Sequence, residues 1–229
     1  MISKTSFKAD FKMVVRDPIL ILFFILPIFI PILIKIALNF VVPLIFRYTG
    51  VNLIEYYGYV LMVSILITPL MLGTVSAFLL IDERDSRIQE LIKITPVGYF
   101  GYISNRLLLP FIGSIMYTIL TYLLLDIYNL EFVQLILIAI LIGIEGIQIA
   151  YLLYNLATDK VQGLTYSKGF GVFTILALAD IFNVKWFRIV GGLTPFYWIT
   201  KLIIDFSLST VMLAIIIHII YLIFIFRHK

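Results

Sequence analysis

Apolar residues run along this chain in long, nearly unbroken stretches separated by short polar segments. The hydrocarbon core of a bilayer is about 30 Å thick, so a crossing helix needs roughly 20 mostly apolar residues. That measure predicts spans at residues 19–41, 56–81, 103–125, 132–156, 169–182 and 208–226. The fifth is too short to cross alone and is expected to borrow from residues 184–193. The expected fold is all-α, a polytopic membrane protein with about six transmembrane helices in a single domain over residues 1–229.

The polar segments have their own periodicity. Phe7, Phe11, Val14 and Val15 recur at i, i+4, i+7 and i+8 among Lys8, Asp10 and Lys12, which predicts an amphipathic interfacial helix within residues 1–18. Asp17-Pro18 then reads as an N-cap followed by proline at the first helical position. Between the second and third spans, residues 82–102 form the most charged stretch. There Ile88, Leu91 and Ile92 fall on one helical side, and Glu83, Arg87 and Glu90 on another at spacings that permit ion pairs. Thr95-Pro96 ends this short helix, because proline disfavours helical geometry in the residue before it. Four acids (Asp82, Glu83, Asp85, Glu90) stand against four bases (Arg84, Arg87, Lys93, Arg106). A helix bound only to lipid is basic, so this balance suits a protein partner, against the plainer reading of a solvated connecting loop.

Composition agrees with the pattern: 62% of residues are hydrophobic, 13% are charged, and the mean hydropathy is +1.12. A soluble domain carries about 25% charged residues. The first span exceeds the roughly 7–15 apolar residues of a signal-peptide core, and no small-residue cleavage site follows it. The chain has no cysteine, which excludes disulfides and thiolate metal sites, and its two histidines, His218 and His228, do not pair. Its net charge of +4 does not point to nucleic acid, because the basic residues flank the spans. With both termini in the cytoplasm, the inner segments hold twelve of the seventeen Lys and Arg residues, as the positive-inside rule requires. Lys185, Arg188 and Lys201 run against that placement.

Pro27, Pro31, Pro69 and Pro110 lie inside predicted spans, where membranes tolerate the kinks they make. Glu145 lies near the middle of the fourth span, with Gln148 on the same face, and Gly143 and Gly146 permit close helix approach. An acid at that depth costs roughly 2.5–3.5 kcal/mol and faces protein or water. Two readings stand: a polar patch on a substrate pathway, or a carboxyl stitching two helices. Lys35 can snorkel to an interface, Asp180 ends the fifth span at the outer surface, and His218 is a hydrogen-bonded helix contact.

The run Glu83-Arg84-Asp85, Gln89-Glu90-Leu91, Thr95-Pro96-Val97 and Tyr102-Ile103-x-x-Arg106 resembles the coupling-helix region of type-2 permeases of ATP-binding cassette exporters. Phe11-x-x-Val14-Val15-Arg16-Asp17-Pro18 is similar to the interfacial helix that opens those permeases. Asp159-Lys160-Val161-Gln162-Gly163-Leu164 with Lys168, and Leu193-Thr194-Pro195-Phe196-Tyr197-Trp198, resemble a subgroup associated with antibiotic export, fluoroquinolone-type exporters included. Ser86-Arg87 stands where many members carry Gly-Thr.

The resemblance implies a permease subunit without an ATPase site of its own. A separate ATPase chain binds ATP and Mg and docks on the loop helix through Glu83, Arg87, Glu90, Leu91, Thr95 and Pro96. A second permease chain completes the pathway, in which Glu145 and Gln148 are the candidate polar lining. The sequence has no G-x-x-x-x-G-K-[ST], the loop that cradles phosphates. Rival readings are a membrane-embedded enzyme, which needs clustered His or paired acids in a cavity, and an ATP-independent transporter.

Overall fold

A backbone N–H or C=O in lipid has no water to bond, so apolar runs of this length close their hydrogen bonds within helices. The computed structural model describes residues 11–94, 98–182 and 184–227, and among these every regular element is helical. In chain order the α-helices are α1 (Pro18–Thr49), α2 (Tyr57–Asp85), α3 (Ile88–Lys93), α4 (Gly98–Leu125), α5 (Phe132–Leu156), α6 (Lys160–Phe173), α7 (Lys185–Gly192), α8 (Pro195–Ile204) and α9 (Leu208–Arg227). Five of them, α1, α2, α4, α5 and α9, are long and apolar enough to cross a membrane.

The helix ends follow local chemistry. Asp17 caps α1, its carboxylate accepting from the Ile19 and Leu20 amides at 2.9 and 3.4 Å, with Pro18 next. Gly50 ends the same helix at φ 70°, a left-handed conformation that glycine adopts without strain. At roughly 1.5 Å per residue, the 32 residues of α1 exceed a bilayer core. Pro27, Pro31 and Pro43 lie within α1, Pro69 in α2 and Pro110 in α4.

The fifth predicted span differs from expectation. It extends toward the N-terminus rather than borrowing from residues 184–193: α6 runs on through a 3₁₀ segment, Thr174–Leu178. Together these rise about 31 Å, but the stretch is not among the five helices apolar enough to cross a membrane. Its apolar stretch is short because the first half, with Gln162, Thr165, Ser167 and Lys168, is polar. Residues 184–193 instead mostly form α7, which turns into α8, and Gly191 seats against the Leu176 carbonyl. Asp180 bonds Lys201 at 2.7 Å and Arg188 at 3.3 Å and accepts from the Tyr197 hydroxyl at 3.1 Å. Two of the three bases that ran against the charge rule are thus locally paired. Burial lowers the Lys201 pKa, but the hydrogen bonds and charges of Asp180 and Tyr197 together outweigh it and the net direction is up.

At the N-terminus, residues 11–14 form a helical turn whose Val14 is buried while Phe11 and Val15 stay exposed. Phe7 lies outside the described residues.

The central helix is α2. Of its most apolar stretch 83% is buried, against 17% for α1 and 22% for α9, which leaves those two at the periphery. Its core face, including Met62, Ile65, Leu66 and Leu72, packs against α4, α5 and α8. Gly73 and Gly146 let α2, α4 and α5 close up: a Cβ on Gly146 would stand 2.9 Å from the Ser114 hydroxyl and 3.0 Å from the Pro110 carbonyl.

Gly146→Ala is therefore expected to destabilise the bundle by about 1–3 kcal/mol through overpacking. Gly171→Ala, whose added methyl meets open space, should leave the melting temperature in detergent at or above wild type. A scan of both variants checks the difference.

Candidate functional site

The loop helix α3 hangs from the end of α2. After Asp85 the chain turns through Arg87 at φ 57°, a left-handed conformation uncommon for a residue with a side chain, and six helical residues follow. Arg87, Ile88, Glu90, Leu91 and Ile94 are exposed, Leu91 at 66%. The predicted apolar side is thereby corrected. Ile88 and Leu91 face outward, Ile92 alone packs against the core, and the inward residue is Gln89, 8% exposed. Thr95 and Pro96 lie outside the described residues.

Gln89 enters a polar plate built from four helices. Its amide nitrogen donates to the Leu80 carbonyl on α2 at 3.1 Å, and its oxygen accepts from the Tyr154 hydroxyl on α5 at 2.8 Å. The Tyr99 hydroxyl on α4 lies 3.3 Å from that of Tyr154.

Beside it sits Glu83, which does not share the outer surface. Its side chain is 3% exposed. Both carboxylate oxygens are bonded by the Arg106 guanidinium, whose Nε donates at 3.0 Å, and the Tyr102 hydroxyl donates to the same carboxylate. Glu83, expected at a partner contact, is thus buried within this chain. Helical periodicity put it on the polar face, but Arg106, 23 residues along on α4, draws it inward.

Arg84 donates to the Tyr154, Ala157 and Thr158 carbonyls at 3.1, 2.8 and 2.6 Å, filling the end of α5 where carbonyls lack helical partners. Lys160 bridges Asp17 at 2.8 Å and Asp82 at 2.7 Å, joining the starts of α1 and α6 to the end of α2. The Lys160 hydrogen bond holds the Asp17 carboxyl below its ordinary value. Burial pulls the Lys160 ammonium down, but its bonds to Asp17 and Asp82 prevail and the direction is up. A lowered acid stabilises above its unfolded pKa and a raised base below its own. The bridge is thus complete at neutral pH and weakens as pH falls through the carboxylate range.

Glu145 and Gln148 lie elsewhere, in the seam between α5 and α9, and are 1% and 5% exposed. The Glu145 carboxyl is 3.2 Å from His218 Nε2, and Gln148 donates to the His218 carbonyl at 2.9 Å. His218 Nδ1 faces the Ala214 carbonyl at 2.7 Å, which only accepts. The geometry is that of helix stitching: α9 covers both side chains, and neither opens onto a surface. Lys35 donates to the Leu124 carbonyl at 2.7 Å, at the end of α4.

An open route exists on the same helices, closer to α3. A groove of about 760 Å³ runs between α4, α5 and α9, floored by Leu107, Phe111, Ile147 and Tyr151 and flanked by Phe100 and Phe226. Tyr151 and Phe226 stack at 4.3 Å. Among the described residues no group of three or more His, Asp or Glu side chains converges to hold a metal.

Sequence reasoning quoted Gln89 and Tyr102 within the loop motif without giving them a role, and missed Tyr154 and the groove. For Gln89 a signal existed: it stands three residues, about one turn of helix, before Ile92, which packs against the core. For the groove there was none, because its wall is made by helices distant in sequence.

The family model of fluoroquinolones export permease proteins, described as Rv2686c-like, matches residues 10–228. Two curated relatives, fluoroquinolones export permease proteins from Mycobacterium tuberculosis strains CDC 1551 / Oshkosh and ATCC 25618 / H37Rv, are each 24% identical over 199 residues. The match covers 84% of this chain and 77% of theirs. No solved structure matches.

Arg106→Met leaves the Glu83 carboxylate buried without its cation and is expected to cost about 3–5 kcal/mol. Adding Glu83→Gln should recover part of that loss. Thermal unfolding of both variants in detergent checks the order; equal stability would mean that the pair is solvated.

Proposed function

The chain belongs to the Rv2686c-like family of fluoroquinolones export permease proteins, and from that we propose that it is the transmembrane permease subunit of an ATP-driven exporter. The export step moves a small hydrophobic or amphiphilic compound, an antibiotic among them, out of the cell. ATP and Mg are bound by a separate ATPase chain, and a second permease chain completes the pathway within the plasma membrane. Both termini and α3 face the cytoplasm, and residues 1–229 act as one permease domain.

The single observation behind this reading is the two-sided character of α3. Its outer face offers a base, an acid and a large apolar side chain, Arg87, Glu90 and Leu91, with nothing covering them. Its inner face is hydrogen-bonded to the spanning helices through Gln89. Mixed charge around an exposed apolar residue suits a protein surface better than anionic lipid, which selects basic helices. Of the residues first expected at that contact, Arg87, Glu90 and Leu91 keep the role, and Thr95-Pro96 follows them in the chain. Glu83 acts behind the surface, holding α2 to α4.

The groove between α4, α5 and α9 supports the substrate class. It is apolar, aromatic and within the roughly 300–1,000 Å³ of drug-sized sites. Its aromatic end, Tyr99 with Tyr151 and Phe226, lies at the α3 side of the bundle, so a compound dissolved in the inner leaflet reaches it sideways.

Charge reversal at both exposed positions, Arg87→Glu with Glu90→Arg, should lower co-purification of the ATPase chain roughly ten-fold while membrane insertion is unchanged. Pull-down in mild detergent with quantification of the captured chains checks it. Wild-type capture by the double variant would remove α3 from the contact.

A further inference from the structure

We propose that Gln89 and Tyr154 are positioning residues, forming the hydrogen bond through which displacement of α3 reaches the wall of the substrate groove; this rests on the coupling role of α3 given above. Apolar burial alone holds α3 weakly. It has six residues, and Ile88, Glu90 and Leu91 are exposed. Its polar attachment is a side chain with both a donor and an acceptor at one tip, and each finds a partner on a different helix. An amide does this without charge, from two separate atoms.

The Leu80 carbonyl fixes one end of that tie to α2 and the Tyr154 hydroxyl fixes the other to α5. Gln89 is nearly enclosed, so parting either bond strands a polar group away from water. The helices therefore follow α3 rather than release it.

What lies beyond Tyr154 gives this tie its consequence. Tyr151 and Ile147, on the same helix as Tyr154, line the groove. Glu145 and Gln148 hold that helix to His218 on α9, and α9 supplies Leu222, Ile223 and Phe226 to the opposite side. Two of the groove's three walls are thus linked to α3 through one side chain. The Tyr99 hydroxyl, 3.3 Å from that of Tyr154, brings in the third.

The test uses the full permease reconstituted with its ATPase in lipid vesicles, comparing wild type, Tyr154→Phe, Gln89→Leu and the double variant. The readouts are compound exported per ATP hydrolysed and the amount of ATPase retained. Each single change should lower export per ATP roughly five- to ten-fold, the worth of one buried hydrogen bond, with retained ATPase unchanged. The double variant should lose clearly less than the product of the two single losses, because the bond joining the two side chains can be broken only once. Wild-type export per ATP in Tyr154→Phe, or independent losses that multiply in the double variant, would overturn the proposal. Should Gln89→Leu fail to insert, Tyr154→Phe decides alone, since it keeps the ring and removes only the hydroxyl. Wild-type export that ignores ATP would instead sink the coupling role itself, a result separate from failure of this tie.

Discussion

Polar groups kept from water must find partners inside the protein, and that requirement organises the α3 end of this bundle. Five helices meet there, and each brings a group that the others complete. Enclosed Glu83 needs Arg106 and Tyr102; at the partly exposed rim Arg84 fills the open carbonyls of α5 and Lys160 bridges Asp17 and Asp82. In a medium that penalises every unmade bond, such a plate behaves as one body.

This explains a division of labour across α3. The buried charges serve rigidity, and the proposed contact assigns the exposed ones to recognition. A helix this short gains a defined orientation only by borrowing it from the plate, which it does through Gln89. The same reasoning separates the two acids that first seemed alike as functional candidates. Glu83 sits where five helix ends converge and is fully paired. Glu145 sits midway along α5 with one partner, His218, and its other oxygen has no hydrogen bond. Glu145 joins two helices; Glu83 joins the ends of the frame.

Much of the frame was legible in the sequence. The span predicted at residues 132–156 is α5 (Phe132–Leu156), because its apolar run is bounded by residues that cap: Glu131 with Gln134 in front and Ala157 behind. Asp17-Pro18 marked the start of α1 by the same logic. The helix over the fifth predicted span begins earlier than expected, because hydropathy is blind to a helix that is polar over its first turns and 3₁₀ over its last. Glu83 was misread for another reason. Periodicity reports which face of its own helix a residue occupies, and cannot report that α4 lies against that face. The antibiotic-export likeness rested on short motifs such as Asp159-Lys160 and Leu193 to Trp198, and the family match over residues 10–228 agrees with it.

The central claim is that energy enters through α3 from a separate ATP-hydrolysing chain. It is tested most directly by uptake of a fluorescent fluoroquinolone into inside-out vesicles that hold the purified permease with or without the ATPase that co-purifies with it. The account predicts accumulation only when the ATPase and Mg-ATP are both present. Accumulation by the permease alone, driven by an ion gradient without ATP, would contradict it.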